Sequence, residues 1–481
     1  MGSSEIHHRS SDSRQSSIVS SSPEESAVPI DFRFIDKSAR PLYRGLADEL
    51  ARQIRNGDLQ PGERLLTQDQ LSKLLGIARN TVCRAYQELD QRRLVSTEVG
   101  RGTFVRSSSG SIDIGVDPED RAAINLAFDS AKLRGWTPRD RAFRELMGSI
   151  GSSRPPSETW SPSSSGLVQA GTSWLQRHGI DSRPERVVVC WGHHHALILS
   201  ILAATEVGDR IAVDWLTYPG MRQIGEFLGR QTVPLSMDRW GTDPGSLDEI
   251  CSTHRPRLVY LMPSLHRPTS ITIPTRRRQE LCRILMRHRI PFIEDDSLRL
   301  LSDETLEPLA ARHPDLGIYV ASFSKVICGE PQLEFLAVPE TLRYRFCEAT
   351  WATLPPVAGT AARIGQVLID SGMADDAIVR MRSLVRNRVE VASDRLGLQP
   401  NSEISFPYLW LESKGELSSD AIAHRALAEG VRILSAAPFL TAPATTVGQD
   451  RIQVCLIGPE SLSDFETGLS TIATILAPTL N

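Results

Sequence analysis

Two side chains at the ends of two apolar runs could do chemistry in this chain. Ile318-Tyr319-Val320-Ala321 leads into Ser322-Phe323-Ser324-Lys325, and Pro291-Phe292-Ile293 ends in Glu294-Asp295-Asp296. Short apolar runs of this kind read as buried strands, and open α/β sheets hold their ligands at strand ends. An amine held there can form a Schiff base with an aldehyde. A carboxylate on a neighbouring strand end can keep a pyridine nitrogen protonated, so that the ring withdraws electrons. Lys325 and Asp295 are thus the pair that pyridoxal 5'-phosphate chemistry requires. The competing reading of Lys325 is a solvated surface lysine, or a relic of an ancestor that bound the cofactor.

The elements that must position this pair alternate between strand and helix, as in an α/β domain. Arg186-Val187-Val188-Val189-Cys190 reads as a buried strand, and Gly192-His193-His194-His195-Ala196-Leu197 turns into an apolar helix that stops near Gly208. Backbone amides at such a helix start suit a phosphate. Three adjacent histidines also invite a metal reading, which fails because consecutive side chains at a helix start point in different directions. Asp209-Arg210-Ile211-Ala212-Val213-Asp214 is a further strand, and Tyr218-Pro219-Gly220 opens the next helix. Leu258-Val259-Tyr260-Leu261-Met262 is another strand, leading to Pro263-Ser264-Leu265-His266-Arg267-Pro268-Thr269.

Length and composition set the frame. The chain has 481 residues, 40% hydrophobic and 23% charged, which calls for two folded units of a soluble globular protein. No long charge-free apolar run appears and the N-terminus is polar, so neither a membrane span nor export is expected and the cytoplasm is the default location. Seven cysteines, scattered and without a C-x-x-C pair, suit reduced thiols. The net charge of −4 hides an asymmetry: Arg40 to Arg106 holds twelve Lys or Arg against eight Asp or Glu, a net +4, which leaves −8 elsewhere. That one region could face an anion.

Residues 1–36 are dominated by serine and read as a disordered tail, with His7-His8 solvated in it. From Pro41, Leu42, Leu46, Leu50 and Ile54 form one helical face, closed by Asn56-Gly57 and Pro61-Gly62. Thr67-Gln68-Asp69-Gln70 is a capping box that opens a short helix with Leu71, Leu74 and Leu75. Gly76 supplies a turn, and a second helix runs from about Arg79 to Gln91 with Val82, Tyr86 and Leu89 inward. Two short helices around a glycine turn make a helix-turn-helix. Leu94-Val95-Ser96-Thr97 and Thr103-Phe104-Val105, joined through Gly100-Arg101-Gly102, read as a basic hairpin wing.

These blocks resemble the winged helix-turn-helix of the GntR family of bacterial transcription regulators. The matching runs are Leu59-Gln60-Pro61-Gly62-Glu63-Arg64-Leu65, Asn80-Thr81-Val82 with Ala85-Tyr86, and Gly100-Arg101-Gly102-Thr103-Phe104-Val105. The resemblance implies double-stranded operator DNA as partner, with Arg79, Asn80, Thr81 and Arg84 at the major groove and Arg101 and Gly102 at the wing tip. Arg can read guanine or neutralise phosphate, and Gly lets the backbone approach the duplex. Ala78 stands where the family often has a Ser cap, and Asp69 where it often has Arg. The domain so bounded is 37–106, followed by a short linker, 107–122.

The remainder, 123–481, resembles a PLP-dependent transferase-like domain of the fold-type I aminotransferase kind. A GntR-type head joined to such a domain is the architecture of the MocR subgroup. The resemblance implies an internal Schiff base at Lys325, Asp295 on the pyridine nitrogen and Tyr218 stacked on the ring. It places His193, His194, His195 and Ser322 at the phosphate, and His266 near the ring hydroxyl. It also implies a homodimer, and a small-molecule effector that is the cofactor or an amino compound, in place of catalysis. The departures are as specific. Ser297 replaces a usual tyrosine, Gln332 the usual phosphate-binding arginine, and Ser270 the Gly of a Pro-Thr-Gly turn. Gln453 falls where an arginine usually clamps the substrate carboxylate, with nearby Arg451 as the alternative placement of that clamp. Lost cationic partners weaken anion binding. Three readings therefore stand: a regulator that senses pyridoxal phosphate or an amino compound, a regulator whose domain has lost the cofactor and pairs subunits or senses another ligand, and a working aminotransferase with a DNA-binding head.

Overall fold

The computed structural model describes residues 41–56, 59, 63–91, 94–98, 102–105, 124–127, 148 and 165–477, the last without 303–305, 328–331, 355–356, 358, 399–406, 414–416, 442–449 and 460. The serine-rich tail with its histidine pair, the linker 107–122 and Arg101 lie outside the described residues. The chain divides into two compact units, one ending at Ser107 and the other beginning at Ser108.

In the first unit, α1 (Leu42–Asn56), α2 (Gln68–Leu75) and α3 (Arg79–Gln91) enclose a core of Leu46, Leu50, Leu71, Val82, Tyr86 and Leu89. The capping box forms as its spacing predicts: Thr67 accepts from the Gln70 amide while the Gln70 side chain accepts from the Thr67 amide. Gly76 ends α2 in the left-handed region, φ 64°, where it costs no Cβ clash. Tyr86 donates its hydroxyl to the Leu66 carbonyl at 2.7 Å, tying α3 to the segment before α2. The wing is β1 (Val95–Glu98) paired antiparallel with β2 (Gly102–Val105), and a bridge from Arg64 to Phe104 extends it.

The second unit is built on one seven-stranded sheet. Its strands are β3 (Val187–Trp191), β4 (Arg210–Asp214), β5 (Gln231–Leu235), β6 (Leu258–Leu261), β7 (Phe292–Asp295), β8 (Gly317–Ser322) and β9 (Leu333–Ala337), in spatial order β3-β9-β8-β7-β6-β4-β5. Only β9 runs against the others. The carboxyl ends of the remaining six therefore share one edge, which is where such sheets gather ligands. Both faces of the central strands are covered, so β6, β7, β8 and β9 are buried throughout, with Phe292, Ile293, Ile318, Tyr319, Val320 and Phe335 fully enclosed. Helix α4 (Ser165–Arg177) packs on one face, and its Trp174 stands edge-on to Phe323 with ring centroids 5.2 Å apart. Helix α5 (Gly192–Ala204), which starts at the end of β3, packs with α6 (Pro219–Phe227) and α7 (Arg343–Thr353).

A smaller three-stranded sheet, β10 (Tyr408–Glu412), β12 (Arg451–Cys455) and β11 (Leu434–Ser435), has its own core around Leu409, Ile452, Val454, Phe465 and Leu469. Among the described residues no helix is long and apolar enough to cross a membrane.

Candidate functional site

Asp295 closes β7 and is 1% exposed. Its Oδ1 accepts from the Ser297 hydroxyl at 2.6 Å and the Ser297 amide at 3.3 Å. Its Oδ2 accepts from the Tyr260 hydroxyl at 2.5 Å and lies 3.0 Å from Nε2 of His193. Burial alone would push this carboxyl up. The charge and hydrogen bond of His193, the charge of Lys325 and the Ser297 hydrogen bond outweigh it and hold the group well below the usual carboxylate range. Asp295 is therefore a permanent anion at the sheet edge.

Lys325 follows β8 through a tight turn in which its amide donates to the Ser322 hydroxyl at 3.0 Å. Its Nζ stands 5.1 Å from the centre of the Tyr218 ring, a cation–π distance. Tyr218, at the start of α6, is 8% exposed, and its hydroxyl is 2.7 Å from Nε2 of His194. Lys325, Asp295 and Tyr218 thus converge on one place, although they come from three separate segments.

The three histidines diverge, as consecutive residues at a helix start must. His193 turns to Asp295 and Ser297, with Nδ1 3.2 Å from the Ser297 hydroxyl. His194 turns to Tyr218. Burial first, then His193 and Lys325, lower its pKa to about 4, so it is neutral. His195 turns away: Nδ1 accepts from the Trp191 amide at 3.1 Å and Nε2 is 2.9 Å from the Thr353 hydroxyl. His266 is 2% exposed, with Nδ1 2.8 Å from the Thr269 hydroxyl and Nε2 3.7 Å from Asp214.

Around Ser322 the groups are already engaged. Its hydroxyl donates to Glu334 at 2.7 Å, and β9 register sets Glu334 opposite both Ser322 and Cys190. Glu334 is fully buried. Gln332 comes so close to Gly192 that a Cβ there would meet its Oε1 at 2.8 Å, so the amide lies against the start of α5. A phosphate needs donors and positive charge in this cup. It would meet a committed hydroxyl, a neutral amide and a buried carboxyl group whose ionised form repels it. The residues present do not fit the phosphate of pyridoxal phosphate.

Of the two placements for a carboxylate clamp, Gln453 is the inner one, fully buried, while Arg451 is partly exposed and paired with Glu412 at 2.9 Å. The residue that sequence reasoning passes over is Arg267. Its Nε donates to Gln453 at 3.1 Å, and its guanidinium is 4.9 Å from the Tyr408 ring, 5.6 Å from Tyr218 and 5.9 Å from Phe439. An arginine inside a run that ends in Pro-Thr was the available signal. Tyr260 and Glu334 were signalled in the same way, as polar groups within apolar strands.

In the first unit, Arg79, Asn80 and Arg84 are exposed on α3 and Thr81 is partly buried, on the face opposite Val82, Ala85 and Leu89. Arg79 pairs with Asp69 at 2.7 Å, both well exposed. Such a pair is worth little and is readily exchanged for another anion. At the wing, Gly102 has φ 124°, and a Cβ there would meet Arg64 Nε at 2.7 Å, so only glycine suits the turn into β2.

Residues 42–105 match the bacterial regulatory proteins of the gntR family. Over most of its length the chain is similar to the HTH-type transcriptional regulator YdeF of Bacillus subtilis, 27% identical over 92% of this chain and 96% of that protein. It is 29% identical to the HTH-type pyridoxine biosynthesis transcriptional regulator PdxR of Corynebacterium glutamicum, over 75% of this chain and 80% of that one. Among solved structures, LysN, the α-aminoadipate aminotransferase of Thermus thermophilus complexed with N-(5'-phosphopyridoxyl)-L-leucine, superposes with a TM-score of 0.62 at 21% identity, covering 74% of this chain and 92% of that one. An archaeal alanine:glyoxylate aminotransferase gives 0.66 at 17% identity, over 82% and 94%. At these identities the structural likeness speaks for the fold.

Proposed function

The chain joins a GntR-type helix-turn-helix to a domain of aminotransferase fold, the make-up of the MocR regulators, and we propose that it is a DNA-binding transcription regulator whose larger domain senses a small molecule and pairs two copies without transferring amino groups. The observation that carries this reading is α3: three exposed polar side chains, Arg79, Asn80 and Arg84, held at fixed spacing over a packed core. Such a helix offers bidentate donors to base edges and cations to phosphates. Two heads on a paired body would read two half-sites, and an effector that favours one arrangement of the pair would change affinity for DNA.

Transamination demands that cofactor and amino acid both be held in one orientation. The committed Ser322, the neutral Gln332 and Gln453, and the buried Glu334 argue against that, and favour an effector domain that answers a small molecule without pyridoxal phosphate over one that senses the cofactor itself. A turnover assay with amino and oxo acids tests this part. Sustained amino transfer that disappears in Lys325→Ala would sink it.

For the DNA-binding part, fluorescence anisotropy with the protein's own upstream region is the direct measurement. Affinity should fall steeply as salt rises, because cations released from the duplex drive binding. Arg84→Ala should cost about 1–3 kcal/mol, roughly fivefold to a hundredfold in Kd. Salt-insensitive binding, or an Arg84→Ala variant as tight as wild type, would count against the interface on α3.

A further inference from the structure

We propose that the imidazole of His193 takes the place that a bound pyridine ring would take, so that the domain keeps its aminotransferase-like core assembled with a ring of its own. This rests on the reading that the domain works without the cofactor, and goes beyond it by naming the residue responsible.

Asp295 is the group on which a pyridine nitrogen would sit, and its oxygens are already engaged from within the chain. Oδ1 takes the Ser297 hydroxyl and amide at 2.6 and 3.3 Å, and Oδ2 takes the Tyr260 hydroxyl at 2.5 Å with His193 Nε2 at 3.0 Å. Ser297 also meets the second nitrogen of the same imidazole, Nδ1, at 3.2 Å, so the ring is bonded to Ser297 through one nitrogen and sets the other 3.0 Å from the carboxylate. The ring is 7% exposed and stands edge-on to Tyr218, with centroids 5.3 Å apart at 70°.

A heteroaromatic ring with one nitrogen beside a buried aspartate and its edge toward Tyr218 meets the two partners this site would offer a pyridine, edge-on to the tyrosine where a pyridine would stack. Here the chain supplies the ring. The backbone makes the reach possible: Gly192, at φ 72°, turns the chain from β3 into α5 and directs the next side chain across the sheet edge to β7. Serine at 297 belongs to the same arrangement, because its small hydroxyl bonds both the aspartate and the imidazole. Two rings cannot share Asp295 Oδ2, so a cofactor can reach the aspartate only if His193 leaves it.

The test is a titration of the full-length protein with pyridoxal, which brings the ring and aldehyde without the phosphate that the cup around Ser322 does not fit, followed by the visible absorption band of the lysine-bound ring. Wild type, His193→Ala, His193→Ser and His193→Ala with Lys325→Ala are compared, each checked for folding by circular dichroism. The two single variants should bind at least tenfold more tightly than wild type, with a band that the added Lys325→Ala removes. Having serine as well as alanine protects the test against one variant failing to fold. A wild-type protein that forms the Lys325 band as readily as the variants overturns the proposal, and if operator binding then shifts with the cofactor, the cofactor-free reading falls with it. Folded variants as silent as wild type overturn the role of His193 alone and leave the cofactor-free regulator standing.

Discussion

The three consecutive carboxyl groups at the end of β7 and just beyond it, Glu294, Asp295 and Asp296, meet three different environments. Glu294 accepts from the Leu309 and Ala310 amides at 3.0 and 2.7 Å and lies 3.7 Å from Arg278; burial, then Asp296, pushes it up to about 7. Asp296 accepts from the Tyr319 hydroxyl at 2.9 Å, and Asp295 alone faces the site. The same contrast between neighbours governs His266, whose burial lowers its pKa to about 4, against a partial return from a Leu216 backbone hydrogen bond and Asp295. An unfolded histidine titrates near 6.5, so between these values the unfolded chain binds more protons and stability falls as the pH falls. From pH 7.5 to pH 5 that one residue should remove about 2 kcal/mol, a loss that His266→Gln should not share. Urea unfolding of both proteins at the two pH values measures it; equal losses would mean that His266 charges freely in the folded protein. At this scale the sequence was partly legible. Alternation and the strand-end position single out Lys325 and Asp295, because they depend on local pattern. The imidazole on Asp295, Arg267 among three aromatic rings and Glu334 beside Ser322 depend on contacts between distant segments, which no local spacing encodes.

Among the elements, α2 is the smallest piece on which the DNA-facing helix depends. It has eight residues and only Leu71 fully buried, so its cap matters more than it would in a longer helix. Thr67→Ala removes an acceptor at the helix start and should cost about 1 kcal/mol, seen as a lowered melting temperature of the first unit. An unchanged transition would mean that tertiary packing alone holds α2. Strand and helix order was largely readable: the runs at 186–190, 209–214, 258–262 and 318–321 match β3, β4, β6 and β8 to within one residue at each end, and the capping box and glycine turn fix the ends of α2. β9 was not readable as a partner. Its insertion against the grain between β3 and β8 pairs residues far apart in sequence, and it is this insertion that brings Glu334 beside Ser322.

At the scale of the whole molecule, each unit has its own core. The first unit buries Leu46, Leu50, Leu71, Val82, Tyr86 and Leu89 among themselves, with none more than 4% exposed. A fragment of residues 38–107 should therefore fold alone, with a cooperative thermal transition in circular dichroism, though its small size keeps it marginal. A fragment that melts without a transition would show that the first unit needs the rest of the chain. Length and composition made two units legible; what each buried residue touches became legible only with the fold.

Trp174 is wholly buried on α4, edge-on to Phe323, and Phe323 sits inside the turn that carries Lys325. An indole so placed responds in its emission to small changes in the ring beside it. The chain thus carries an optical gauge on the back of its own site, and Trp174→Phe would isolate that signal from the other seven of its eight tryptophans.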